Sequence, residues 1–180
     1  MSVAPIGQAG ADTAVAAAFA VDRLCVGYGK RRVLHELNLT IPAGQITAIV
    51  GANACGKSTL LRTLARLLPA HSGTVQLQGR PLGDYRRKEL ARTVAFLPQS
   101  PLPPEGITVE ELVLRGRFPH RGLGLRPSAH DWERVAWALA ATDATELAGR
   151  PLDALSGGQR QRAWIAMALA QDTRVLLLDE

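Results

Sequence analysis

The sequence predicts an α/β fold, and three observations carry that reading. The run QITAIVG, ending at Gly51, is apolar on both faces, as a buried strand is. It passes through a glycine-containing loop into a helix whose Leu60, Leu61, Leu64, Leu67 and Leu68 fall at helical spacing, with Pro69 as its stop. Short β-leaning pieces precede this unit, and helical signals dominate from residue 101 onward.

In chain order, residues 1–18 are rich in alanine and glycine and are expected to form a disordered tail. From Phe19 come FAVDRLCVGYG and HELNLTIPAG, the second alternating Leu37, Leu39 and Ile41 in the manner of a strand. After the loop and its helix, GTVQLQGRPL reads as a strand with a turn at Gly79, and RTVAFLPQ as another ending at Gln99. Residues 19–100 are thus expected to hold an antiparallel β subdomain and the loop-bearing core. The proline-rich joint SPLPPEG opens a helical part, 101–155, in which Thr108 and Glu111 form a capping box. There Ser128 caps a helix that is expected to bury Trp132, Val135, Ala136 and Leu139 on one face. Residues 156–180 supply a final helix, started by LSGGQ, and the strand RVLLLDE.

Bulk properties remove several classes of function. A hydrophobic content of 47% with 21% charged residues describes a globular chain of 180 residues. No apolar run approaches the ~18 residues a membrane helix needs. Two cysteines, Cys25 and Cys55, are too few for a disulfide framework. The net charge of +5 and the arginines at 86–87, 115, 117, 121 and 126 raise the question of nucleic acid. No aromatic residues interleave them as single-strand binders require, so no nucleic-acid partner is expected.

Gly51-x4-Gly56-Lys57-Ser58 has the Walker A spacing, in the strand–loop–helix context that the motif requires. Inward backbone N–H groups and the positive end of the following helix hold polyphosphate. Lys57 reaches the β- and γ-phosphates, Ser58 offers its hydroxyl to Mg²⁺, and Thr59 is placed for the α-phosphate. Ala54 stands where such loops most often carry glycine, and a left-handed backbone there would cost roughly 1 kcal/mol. Cys55 reads as a small filler of the loop and Cys25 as core. A second anion site is marked by LSGGQ. Ser156 is a natural N-cap, but Gly157 and Gly158 in a first helical turn cost roughly 1 kcal/mol each. Bare backbone there implies close approach by a ligand, and with no lysine of its own this is half a site.

In this order GANACGKST, LPQ, LSGGQRQR and VLLLDE resemble the nucleotide-binding subunit of an ATP-binding-cassette (ABC) transporter, from Phe19 to Glu180. The resemblance implies a P-loop NTPase (RecA-like) core with an antiparallel β subdomain and a helical signature subdomain, incomplete at the C-terminus. It implies ATP and Mg²⁺, with Gly51, Asn53, Ala54, Cys55, Gly56, Lys57, Ser58 and Thr59 around the phosphates. Tyr28 matches the aromatic that stacks on adenine. Ser156, Gly157, Gly158 and Gln159 match the signature turn that grips ATP held by the opposite subunit of a head-to-tail dimer. Gln99 matches the glutamine that contacts Mg²⁺ or the attacking water. Asp179 matches the carboxylate that holds Mg²⁺ through water, and Glu180 the general base.

The resemblance also implies partners: transmembrane permease subunits, a second ATPase subunit, and a periplasmic or lipoprotein substrate-binding protein. The expected location is peripheral, at the cytoplasmic face of the membrane. GKSTLLRTLARLL, LPQSP and VLRGRFPH are similar to ATPases of iron–siderophore importers, with haem and vitamin B12 importers close by. Relatives normally continue beyond the final DE with a further strand and a switch histidine. His35, His71, His120 and His130 all precede that point. A truncated domain, poorly stable and nearly inactive alone, is therefore expected. A soluble ABC ATPase without a transporter and a non-catalytic nucleotide-binding fragment are the alternatives.

Overall fold

A computed structural model describes residues 2–5, 16–99, 101, 105–122 and 126–179. They fall into two compact units, Met1–Tyr85 and Arg86–Glu180. The first contains β1 (Ser2–Pro5), β2 (Ala17–Tyr28), β3 (Arg31–Pro42), β4 (Thr47–Val50), α1 (Lys57–Leu64), β5 (Ser72–Leu77) and β6 (Arg80–Pro81). The second contains α2 (Arg87–Thr93), β7 (Val94–Leu97), α3 (Val109–Arg115), α4 (Ala129–Ala141), α5 (Gly157–Ala170) and β8 (Val175–Leu178).

In the first unit the antiparallel sheet runs in the order β3-β2-β5-β6. Its two twelve-residue strands meet at a two-residue turn, Gly29–Lys30, and Gly29 takes the left-handed φ of +58° that tight hairpins demand. Phe19, Val21, Leu24 and Val26 of β2 are buried, as are Leu60 and Leu64 of α1, which packs on β2 and β3. Cys25 is buried too, as expected.

Two expectations for this unit are corrected. Part of the supposed disordered tail, residues 2–5, is β1, paired antiparallel with β4 from Ser2↔Val50 to Pro5↔Thr47. A lone four-residue strand presents unmet backbone groups, and β1 supplies partners for one edge. The helix expected to run to Pro69 ends at Leu64, leaving Leu67 64% exposed. Arg66 turns left-handed (φ +56°), while Leu67 N–H donates to Arg62 O and Arg66 N–H to Thr63 O, a Schellman close. The position usually held by glycine tolerates arginine here because its guanidinium donates to the carbonyls of Leu82 (3.2 Å) and Tyr85 (2.6 Å).

In the second unit β7 and β8 pair in parallel, Val94↔Val175 through Leu97↔Leu178. The core joins Val109, Leu112 and Val113 of α3, Val135, Ala138 and Leu139 of α4, and Ala163, Trp164, Ala166, Ala168 and Ala170 of α5. The capping box of Thr108 with Glu111 and the cap at Ser128 both form, and at Ser128 Asp131 completes a second box. The short helix α2 was not expected. The boundaries expected at 100/101 and 155/156 fall inside this unit, because β7 and α5 contribute to the same packing as the helices between them.

The buried face of α4 also differs from expectation. Asp131, Val135, Ala138 and Leu139 are its buried residues, while Trp132 is 41% exposed and Ala136 is exposed. Asp131 is drawn inward by Arg117, whose Nε donates to Asp131 Oδ1 at 3.0 Å and whose Nη1 donates to Ala170 O at 2.8 Å. That contact turns the helix by about one residue from the purely apolar stripe. Arg117, grouped by sequence with the surface arginines, is therefore a core residue at 2% exposure; Arg115 is exposed.

Candidate functional site

The expected site residues form two groups, one in each unit. In the first, the loop between β4 and α1 delivers Lys57, Ser58 and Thr59 on the first turn of α1. Gly56, the residue before the helix, has φ +102°, and a Cβ there would lie 2.7 Å from Leu34 Cδ2 and 3.1 Å from Val33 Cγ1. A side chain is thus excluded on conformational and steric grounds alike. At Gly51 a Cβ would sit 2.7 Å from Cys55 Sγ, so a side chain there would require the Cys55 thiol to move aside. Ala54 has φ +62°, so the left-handed condition raised by the sequence is met with a Cβ in place.

Lys57 Nζ donates to the carbonyl oxygens of Gly51 and Ala52, 2.8 Å each, and lies 4.0 Å from Cys55 Sγ. These bonds hold the ammonium against the loop, on the route polyphosphate would take. Tyr28, Arg31, Val33, Ala54, Gly56, Lys57, Ser58 and Thr59 line one cleft of about 350 Å³. It has an aromatic wall at Tyr28, which is 48% exposed, and a basic, hydroxyl-bearing floor. Asn53 and Cys55 stay in the loop, outside that lining. Arg31 and Val33 were not singled out from sequence. The signal was the Gly29–Lys30 turn, which makes Arg31 the cross-strand partner of Tyr28.

In the second unit Gln99, Gly157 and Asp179 line one cavity of about 670 Å³, together with Arg160, Gln161 and Trp164, which sequence reasoning missed. Asp179 follows β8, is 7% exposed, and donates its N–H to Leu97 O at 2.9 Å, continuing the ladder by one step. Glu180 lies outside the described residues. Ser156 caps α5: its hydroxyl accepts from Gln159 N–H at 3.3 Å, and Gln159 Oε1 accepts from Ser156 N–H at 3.1 Å. Gly157 and Gly158 are exposed, and a Cβ at either would meet nothing within 4 Å. Among the described residues, nothing in the packing requires glycine at these positions.

The order of these pieces along the chain is decisive when set beside known families, and the ABC transporter family matches residues 34–180. The chain belongs to the ABC transporter family. Its fold class, an α/β domain with an antiparallel sheet and a helical part, is that of ABC ATPase domains. Among curated ABC relatives, the ferric enterobactin transport ATP-binding protein FepC of Escherichia coli K12 is 54% identical over 160 residues, 88% of this chain and 59% of that protein. The iron(3+)-hydroxamate import ATP-binding protein FhuC of Bacillus subtilis 168 is 50% identical over 159 residues, again 88% and 59%. The chain thus spans about three-fifths of the length of these relatives. Among solved structures, cbiO1 from Clostridium perfringens, part of the ABC transporter complex cbiONQ, superposes with a TM-score of 0.76 at 30% identity. That match covers 91% of this chain and 65% of the other. Among the described residues no helix is long and apolar enough to cross a membrane.

Proposed function

We propose that this ABC chain belongs to an ATP-binding importer subunit that hydrolyses ATP to drive uptake of iron–siderophore complexes. The observation that carries the reading is the pair of unlike half-sites. One has a phosphate loop with its lysine; the other is a capped helix start with two exposed glycines and no lysine. Each lacks what the other supplies, which fits two subunits closing head to tail around shared ATP. The cargo class is taken from the printed names of FepC and FhuC.

In this reading Tyr28 stacks on adenine, and the residues from Gly51 to Thr59 hold the phosphates through loop N–H groups, hydroxyls and the Lys57 ammonium. Ser156, Gly157, Gly158 and Gln159 approach the γ-phosphate held by the partner subunit. Ser58 in the first unit, and Gln99 and Asp179 in the second, each carry a hard oxygen donor of the kind Mg²⁺ takes, and that ion would supply charge neutralisation to the phosphates. Glu180 is proposed as the base that accepts a proton from the attacking water, with Gln99 orienting it. The assembly would include permease subunits and a substrate-binding protein, with this subunit peripheral at the cytoplasmic face.

The test is uptake of radiolabelled ferric siderophore by cells lacking their own importer ATPase and supplied with the intact protein and its permease. Uptake that depends on Lys57 is expected. ATP turnover without uptake, with any permease tested, would favour a soluble ABC ATPase.

A further inference from the structure

We propose that Arg31 is a nucleotide-contact residue that holds the α-phosphate of the ligand; the proposal rests on the ATP-binding reading of the same cleft. Arg31 lines that cleft, and its exposed side chain has no hydrogen-bond or ion-pair partner among the described residues. Its cation is available to a ligand, in contrast to Lys57, which is held on the loop carbonyls.

The hairpin fixes where that cation acts. Tyr28 and Arg31 are directly paired across the Gly29–Lys30 turn, so their side chains leave the same face as neighbours about 5 Å apart at Cβ. The register shifts between Val26 and Gly27, and both Val33 and Leu34 come against Gly56. One end of this wall is therefore the aromatic that receives the base, and the other touches the phosphate loop. Arg31 stands between them, two residues, or roughly 7 Å of extended chain, from Val33. A guanidinium on a long stem at that point spans the stretch between base and β-phosphate. Its fork suits phosphate oxygens, while the β- and γ-phosphates are served by the loop and Lys57.

An α-phosphate contact is shared by ATP, ADP and AMP, so it strengthens binding of all three alike and leaves the chemical step untouched. The experiment compares Arg31→Ala and Arg31→Lys with the unaltered protein by titrating N-methylanthraniloyl-ADP and displacing it with ATP, AMP or adenosine. Arg31→Ala is expected to weaken ADP, ATP and AMP by the same factor, roughly tenfold, with Arg31→Lys in between. Adenosine affinity and the turnover rate at saturating ATP are expected to stay constant, as is the thermal midpoint, since the side chain is exposed. Unchanged nucleotide affinity overturns the proposal, as does a loss confined to ATP or an equal loss for adenosine. Lys57→Ala is the control: if it binds as tightly as the unaltered protein, or neither binds, the ATP reading of the cleft fails with the proposal. A normal Lys57 effect with no Arg31 effect removes only the latter.

Discussion

Arg117 Nε and Asp131 Oδ1 meet at 3.0 Å in the interior of the helical unit, with their side chains 2% and 8% exposed. Asp131 does two things at once. Its Oδ2 caps α4 by accepting from Ser128 N–H (2.9 Å) and Ser128 Oγ (2.8 Å), while Oδ1 binds the arginine. Burial alone would raise the carboxyl pKa; the Ser128 donors and the Arg117 guanidinium outweigh it and hold the group at about 2. Because the folded value lies below the ordinary 3.8, the stabilisation is present above about pH 4 and is lost as pH falls toward 2. Arg117→Ala, which strands the carboxylate, should cost about 3–5 kcal/mol in urea unfolding. Between pH 5 and 2.5 the unaltered protein should lose more stability than Asp131→Asn.

Charge reversal at Arg115 should behave differently. Arg115 is exposed on the last turn of α3, so Arg115→Glu should shift stability by no more than about 0.5 kcal/mol. If transport by the intact protein nevertheless falls, Arg115 belongs to a docking surface. Unchanged uptake would make it plain surface, and a test that reversed Arg117 as well would only report a broken core.

What the sequence made legible, and what it hid, follows the range of the interactions involved. The strand–loop–helix unit, the capping box at Thr108 and the N-caps at Ser128 and Ser156 are local patterns, and they form as read. The face of α4 was misread because a contact with Arg117, fourteen residues away, decides which side is buried. The early end of α1 depends on carbonyls at Leu82 and Tyr85, which no window around Arg66 contains. In the site, the loop residues were legible from spacing, whereas Arg31 enters through strand pairing and Arg160, Gln161 and Trp164 through the shape of a cavity.

Ala54 holds φ +62° in the phosphate loop with a Cβ that favours the right-handed region. Ala54→Gly removes a strain of roughly 1 kcal/mol but gives the unfolded chain more freedom, so the net change in stability should be under about 1 kcal/mol. The loop already has the required backbone course, so ATP affinity should change less than tenfold. A larger rise by fluorescence titration would mean that the alanine distorts the site.

Lys57 contributes little to the fold and much to the ligand. Its two bonds are to carbonyls of an exposed loop, so Lys57→Ala should cost at most about 1 kcal/mol by urea unfolding. Trinitrophenyl-ATP binding should nonetheless fall by more than tenfold, since the lysine that lines the cleft is removed. A large stability loss with intact binding would reverse that assignment.

Gly157 and Gly158 separate stability from function most sharply. Each occupies the first turn of α5 with open space where a Cβ would be, so alanine at either should stabilise the helix, by up to about 1 kcal/mol. If the bare backbone exists to meet a γ-phosphate held by a second subunit, that added methyl blocks the approach. Gly158→Ala in the intact protein should therefore melt at the same or a higher temperature and bind trinitrophenyl-ATP at the Walker A cleft normally. It should also lose ATP-dependent dimerisation in size-exclusion chromatography, and with it most turnover. A variant that is more stable, dimerises and hydrolyses normally would show that the glycines serve no ligand, and the composite site would have to be abandoned.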